Sequence, residues 1–303
     1  MRKLLNHNRP KVKEYFYYLT LRSSIWHDKY MKSQLQDYKN DFILKRYKFC
    51  NVWRELDNFS RIEIKNIRNK DLKEQIKIII IGRHSLSWKT TNMLLNDCTY
   101  EELMEYWNKC REENRASEFV SDAINFQPLP GENRAQCLIL HRDETLRNLD
   151  KLHKTIKRTD NYSLIFNESC DLLPHIGPFR AYEIFTSLSY SEHINFKEDS
   201  ICHVGPGAIG GMNTLCDAII HKDNHKSVLK QLTKEVKSHL LTIPEFNWIP
   251  KDLQGSYNFK EKHKFTIRTM EDSLCEYRKY VGLKYGNGRR RIYNKEPDQL
   301  SIF

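Results

Sequence analysis

Three neighbouring features of this 303-residue chain carry residue types suited to chemistry. The first is Leu173-Pro174-His175-Ile176-Gly177-Pro178-Phe179-Arg180-Ala181-Tyr182. Pro174 ends a preceding helix, because its ring removes an N–H and disfavours αR one residue earlier. Gly177 supplies freedom at a tight turn, and Pro178 fits the first position of the next helix. Such a hairpin leaves backbone N–H groups facing outward at the positive end of a helix dipole, where a phosphate binds. His175 and Gly177 shape that turn, and Arg180 adds a charge-assisted contact. An ordinary hairpin inside a helix bundle carries the same punctuation. The second feature is Asp199, 22 residues after Gly177. A carboxylate there can stabilise a developing cation or align and deprotonate water; the plainer alternative is a cap for the segment that follows. The third is Gly205-Pro206-Gly207-Ala208 with Gly210-Gly211. Either backbone N–H groups approach a phosphate there, or two helices pack closely.

A second constellation lies at the ends of the chain. Asn51, Arg54 and Asp57 stand three residues apart, so on a helix they share a face. With Glu276, and with Lys279 one turn beyond it, they are candidates to line a pocket for a base edge or a phosphate. The alternative is that Arg54 pairs with Asp57 and Glu276 with Lys279. The rings around them (Phe49, Trp53, Tyr277 and Tyr280) are more often core than stacking platform.

The elements that must position these residues read as helical. Val12–Ser23 has apolar residues at helical spacing. Asn40–Arg61 reads as a helix start at Asn40 or Asp41 and then a long aromatic-rich segment, and Glu101–Cys110 as an amphipathic helix capped by Thr99. Thr145–Lys157 and Ser163–Leu173 are helical, as is the segment bearing Ala181, Ile184, Phe185 and Leu188, and Met212–Ile220. The apolar run Ile76–Ile81 is either a buried strand or part of a helix. Residues 126–133 and 286–288 form turns, because Pro and Gly interrupt them.

Composition narrows the class. The 11 glycines and 9 prolines are few for 303 residues, which favours a mostly helical body in a single domain over 1–303. The chain carries 50 Lys and Arg against 39 Asp and Glu, a net +11 that suits a polyanion. Eight scattered cysteines include no CxxC pair, so zinc ribbons and iron–sulfur clusters are disfavoured and no metal or cofactor is expected. No Gly-Lys-Ser/Thr loop ending occurs, which argues against P-loop phosphoryl transfer. No run spans a bilayer and no signal peptide opens the sequence, so a cytoplasmic protein without an obligate protein partner is expected.

Five patches taken together resemble one family: Tyr17–Ile25 with Arg22, Phe49–Asp57, the hairpin, Cys202–Ala208 and Arg268–Tyr280. The set is similar to the hypermodified-base group of the helix-hairpin-helix DNA glycosylase superfamily. That group includes alpha-glutamyl/putrescinyl thymine pyrophosphorylases and the helical domain of 5-hydroxymethyluracil DNA kinases. The resemblance implies two packed helical lobes with a helix-hairpin-helix at about 163–189, and DNA containing modified bases as partner. It implies that the hairpin, Gly205, Gly207 and Lys279 contact DNA, and that Asp199 is catalytic, since a catalytic Asp follows the hairpin glycine at a comparable interval in those glycosylases. His175 departs from the pattern, which has glycine there. Phe179 stands where bifunctional members carry a Schiff-base lysine, which implies a monofunctional enzyme. The expected activity is excision of a bulky phage-type pyrimidine from DNA, in anti-phage defence. The alternative is a transferase that displaces pyrophosphate from an activated 5-methylpyrimidine with an amine or amino acid.

Overall fold

A computed structural model describes residues 4–5, 9–31, 38–121, 129–173, 176–195, 202–240, 265–286 and 288. Among them the chain is mostly helical, with thirteen α-helices and no β-strand. None of these helices is long and apolar enough to cross a membrane. The residues divide into two compact units, one from 4–57, 202–240 and 265–288, the other from 58–195.

The first unit is assembled around its last helix. It contains α1 (Pro10–Met31) and α2 (Phe42–Arg46). The helix start expected at Asn40 or Asp41 is present at Asp41, but the aromatic-rich segment after it does not continue as one helix: it comprises α2, a 3₁₀ turn at Arg54–Leu56, and α3 (Asn58–Ile67) of the other unit. Asp41 caps α2 by accepting from the Ile43 and Leu44 N–H groups, and the chain is already extended at Tyr47. The segment from there to Asp57 satisfies its backbone through side chains and buries Phe49, Val52 and Trp53. Apolar composition alone cannot report that exchange of partners.

The remaining helices of this unit are α11 (Pro206–Cys216), α12 (His225–Leu240) and α13 (Ile267–Lys284). The helix expected over Met212–Ile220 starts earlier, at Pro206 in the first position, and stops at Cys216, where Asp217 turns left-handed at φ 52°. Its glycines explain the shift. A Cβ on Gly207 would sit 2.3 Å from the Cys275 Sγ, one on Gly210 2.5 Å from Arg278 Cδ, and one on Gly211 2.2 Å from the Leu274 carbonyl oxygen. The glycine cluster is therefore a face on which the α11 backbone lies directly against α13, on its side chains at Gly207 and Gly210 and on its backbone at Gly211. Opposite it, α13 meets an aromatic core: Tyr15 packs edge-on to Tyr277 at 5.1 Å, and Tyr18 lies 5.1 Å from Tyr280. These phenols are paired, Tyr15 with Ser273 and Tyr280 with Asp41, as buried hydroxyls require. Phe49, Trp53, Tyr277 and Tyr280 are all core.

The second unit continues from α3 through α4 (Leu72–Ser85), α5 (Trp88–Leu95), α6 (Tyr100–Glu112) and α7 (Ala116–Phe119). It ends with α8 (Arg134–Arg158), α9 (Tyr162–Cys170), α10 (Pro178–Thr186) and a 3₁₀ turn at Ser187–Tyr190. The run Ile76–Ile81 is helix, opened by the Asp71 carboxylate on the Glu74 N–H. Its isoleucines are enclosed on more than one side, Ile76 and Ile78–Ile80 joining one apolar cluster and Ile81 another, while Lys77 pairs with Glu74. Thr99 and Glu102 form the capping box that the sequence signals, and Asn133 with Gln136 forms a second at α8.

The tightness of the α11–α13 contact predicts the effect of one methyl group. Gly211→Ala should lower the unfolding free energy by about 2 kcal/mol or more, as overpacking against backbone does. Gly177→Ala, where nothing lies within 4 Å, should cost under about 1 kcal/mol. Urea titrations of the two variants make the comparison.

Candidate functional site

In the first unit, the segment 49–57 is held between α1 and α13. The buried Arg22 guanidinium donates to the carbonyls of Phe49 at 2.8 Å and Cys50 at 3.0 Å. From the other side, the Cys50 N–H donates to Glu276 Oε2 at 3.0 Å, and Lys279 pairs with the other oxygen of Glu276. Asp57 Oδ1 accepts from both the backbone N–H and the side-chain amide of Asn51, at 2.7 and 2.9 Å. Its Oδ2 faces Arg54 at 3.0 Å, and Arg54 Nε lies 3.6 Å from Asp272. Arg268 stands 4.0 Å from the same Asp272 oxygen.

Asn51, Arg54, Asp57, Glu276 and Lys279 therefore meet around Cys50. They do not share a helix face, since Asn51 lies in extended chain. Their contact comes from Asp57 reaching back over the turn. Both pairings foreseen as the plain alternative, Arg54 with Asp57 and Glu276 with Lys279, are present. Arg22, Arg268 and Asp272 belong to the same network. The spacing of Arg268, Asp272 and Glu276, four residues apart, was the signal for one helix face. Burial pushes the Cys50 thiol up to about 12, with Glu276 and Asp57 adding to the shift against Arg54 and Lys279. It is a neutral packing group and no nucleophile. The network can orient an edge with hydrogen-bonding groups through the partly exposed Arg54 and Lys279. It offers no reactive base, because its carboxylates are already engaged.

Gly205 and Gly207, expected at a phosphate, are employed otherwise. The Gly205 N–H donates to Glu271 Oε1 at 3.0 Å, and Gly207 lies against Cys275. A buried carboxylate thus occupies the α11 N-terminus, and the close-packing reading of this turn is the one its geometry shows.

The second unit contains the hairpin. Gly177 is exposed at the N-cap of α10, no side chain caps it, and Pro178 occupies the first position. His175 lies outside the described residues, as does Asp199. Arg180 does not face outward as expected. Its guanidinium donates to the Arg83 carbonyl. Burial brings it down to about 10, with Arg83 adding to the shift and Glu183 opposing it. The reason is local: Arg180 is in the first turn of α10, and that turn packs on the end of α4, whose last carbonyls accept its charge.

Around that contact is a buried polar cluster that sequence reading missed. Arg83 pairs with Glu63, both buried, and its guanidinium lies between the rings of Phe59 at 5.4 Å and Tyr190 at 5.3 Å. Next to it, His84 stacks on His141 with centroids 4.2 Å apart and planes 5° from parallel. Burial holds the His84 imidazole well below its ordinary value, and His141 and Arg180 push in the same direction. His84 lies in the last turn of α4 and His141 within α8, so only the fold brings them together. Among the described residues no cluster of three or more His, Cys, Asp or Glu side chains could hold a metal ion.

Over residues 9–289 the sequence matches the family model described as 5-hmdU DNA kinase, helical domain. It is also similar to the 5-hmdU DNA kinase of Bacillus phage SP10, at 22% identity over 95% of this chain and 49% of the relative. The chain thus spans about half the length of the curated relative it matches. No solved structure matches.

The histidine stack sets a pH dependence. His84 takes up a proton far more readily unfolded than folded, so stability is full above the ordinary imidazole value and is lost as pH falls below it. One such group costs about 1.4 kcal/mol per pH unit in that range. Melting temperatures recorded between pH 7.5 and 5 should fall steeply for the native chain and less steeply for His84→Gln. Parallel slopes would mean that other groups govern the acid limb.

Proposed function

From the premise that this chain belongs to the family of the 5-hmdU DNA kinase helical domain, we propose that it acts on DNA and takes part in group transfer to a pyrimidine base. The observation that carries this reading is the family match over residues 9–289. The net charge of +11 supports it, because a polyanion is the partner such a field attracts. Transfer at the 5-substituent of the pyrimidine is favoured over excision, since the relative is named for kinase chemistry on DNA.

In this reading the described helices hold the nucleic acid and present the base. The hairpin of α9 and α10 is a helix-hairpin-helix of the glycosylase-like kind. Its exposed turn at Gly177, with uncapped N–H groups behind it, faces a backbone phosphate. The target base leaves the stack, at a cost of a few kcal/mol that the protein must offset. The Arg54 and Lys279 network of the first unit is, taken by itself, a candidate to orient a base edge, and Asp199 is the candidate catalytic carboxylate. An exocyclic oxygen or methylene at carbon 5 is the reacting atom, and the glycosidic bond stays intact.

Nucleoside mass spectrometry tests this. Duplex and single-stranded DNA containing 5-hydroxymethyluracil is incubated with the chain and a nucleoside triphosphate. In parallel, DNA bearing a pyrophosphate-activated 5-methylpyrimidine is incubated with an amine. A mass gain on the modified nucleoside is expected in one arm, reduced about 100-fold or more by Asp199→Asn if that carboxylate moves the proton. Free base with abasic sites would replace transfer by excision. Unchanged nucleosides throughout would remove both.

A further inference from the structure

The rings around the Arg54 network are buried, so they cannot stack on a nucleotide. The first unit exposes others. Tyr17 on α1 is 44% exposed, Phe42 at the start of α2 is 63% exposed, and Tyr285 just beyond α13 is 61% exposed. Among the described residues they are the large apolar side chains that this unit turns outward, apart from Ile219. We infer that this aromatic and basic face of the first unit, built on Tyr17, Phe42, Arg46 and Tyr285, is a stacking surface for single-stranded DNA.

The three rings belong to one neighbourhood. Lys284 links them: it pairs with Glu14, and its ammonium lies 5.9 Å from the Tyr280 centroid and 6.0 Å from that of Tyr285. Tyr285 reaches the same Glu14 at 3.4 Å. Tyr17 follows Glu14 by one turn of α1 and lies within electrostatic range of Tyr280. Tyr280 in turn donates to Asp41 Oδ2 at 2.7 Å, and Asp41 immediately precedes Phe42.

The chemistry of the face selects its occupant. Arg46 lies over both the Phe42 ring at 5.4 Å and the Tyr47 ring at 5.8 Å, a guanidinium already spread beside π faces. Lys13, one turn before Tyr17 on α1, and Lys45 and Lys48, which flank Arg46 in sequence, are exposed. The two acids of the neighbourhood are committed inward, Glu14 to Lys284 and Tyr277, Asp41 to the α2 cap and Tyr280. Cations therefore point out and carboxylates point in. The rings and Arg46 would also suit a protein interface, but the exposed lysines beside them would not, because interface cores are depleted in lysine. Exposed rings separated by cations suit unpaired bases on a phosphate backbone, where each base offers a π face and each phosphate a charge. Duplex DNA satisfies the cations but keeps its bases stacked, so it cannot use the rings.

This inference rests on the reading that the chain acts on DNA, and the test separates the two. Fluorescence anisotropy of the full chain is recorded with a labelled 20-nucleotide single strand, a blunt duplex, and a strand of abasic deoxyribose-phosphate units. Phe42→Ala and Tyr285→Ala are each expected to weaken single-strand binding about fivefold or more, the lower end of stacking on one ring, and duplex binding far less. Arg46→Ala should weaken both and reduce the salt slope by about one. Circular dichroism and melting confirm that the exposed substitutions leave the fold intact. Ring variants that bind the single strand like the native chain would overturn the inference while leaving the proposed function standing. So would an abasic strand bound as tightly as a normal one, or a dimer that the ring variants dissolve. A native chain that binds no DNA of any form would sink the proposed function itself.

Discussion

The first unit depends on one close approach, that of α11 and α13 along Gly207, Gly210 and Gly211. Helices with ordinary side chains at the contact stay 8–10 Å apart. Three absent side chains remove the spacer and let backbone meet side chain and backbone directly. That fixes α13 about its own axis, and the consequences follow from its periodicity. With Leu274, Cys275 and Arg278 turned to the glycines, Tyr277 and Tyr280 turn to α1, and Arg268, Asp272 and Glu276 turn to the 49–57 segment. The polar network is therefore in register only because the opposite face of α13 is locked.

That network is costly to build, and its cost explains its completeness. A buried ion pair contributes little net stability, because desolvation offsets the attraction, whereas a single unpaired partner is strongly destabilising. Each carboxylate accordingly has more than one partner: Asp57 holds Asn51 twice and Arg54, and Glu276 holds Cys50 and Lys279. The second unit repeats the solution with Arg83, which gains Glu63, Ser60 and two aromatic faces. Charges held this firmly define a shape.

What the sequence made legible follows the range of the interactions. Thr99 capping its helix, the Pro178 start of α10 and the amphipathic stripes are decided within one or two turns, and they could be read directly. The meeting of Asn51, Arg54, Asp57 and Glu276 was legible as a set of residue types, but the reason for it was not. A helix was expected to align the first three, and instead an extended chain is folded back by Asp57. Arg180 failed as an outward group because its neighbour is Arg83, distant in sequence, and the stack of His84 on His141 was invisible for the same reason. Gly205 and Gly207 carried two meanings that no local rule separates. The partner that decides between them, α13, begins about sixty residues later.

The partition of arginine and lysine bears on how any DNA contact must work. Arg22, Arg54, Arg83, Arg180 and Arg268 all serve internal carbonyls, carboxylates or rings. Arginine is the residue whose rigid fork reads a phosphate or a guanine edge bidentately. Here these five are committed inward, and among the described residues the basic surface is made of lysines together with exposed arginines such as Arg46, Arg111 and Arg278. A lysine surface attracts phosphates without fixing their register, so association through it is fast, salt-sensitive and indifferent to sequence. On the proposed reading, discrimination arises after encounter, from unpaired bases against exposed rings and from a base edge against the Arg54 network. Such a division suits a protein whose target is defined by the chemistry of one nucleotide and not by the sequence that surrounds it.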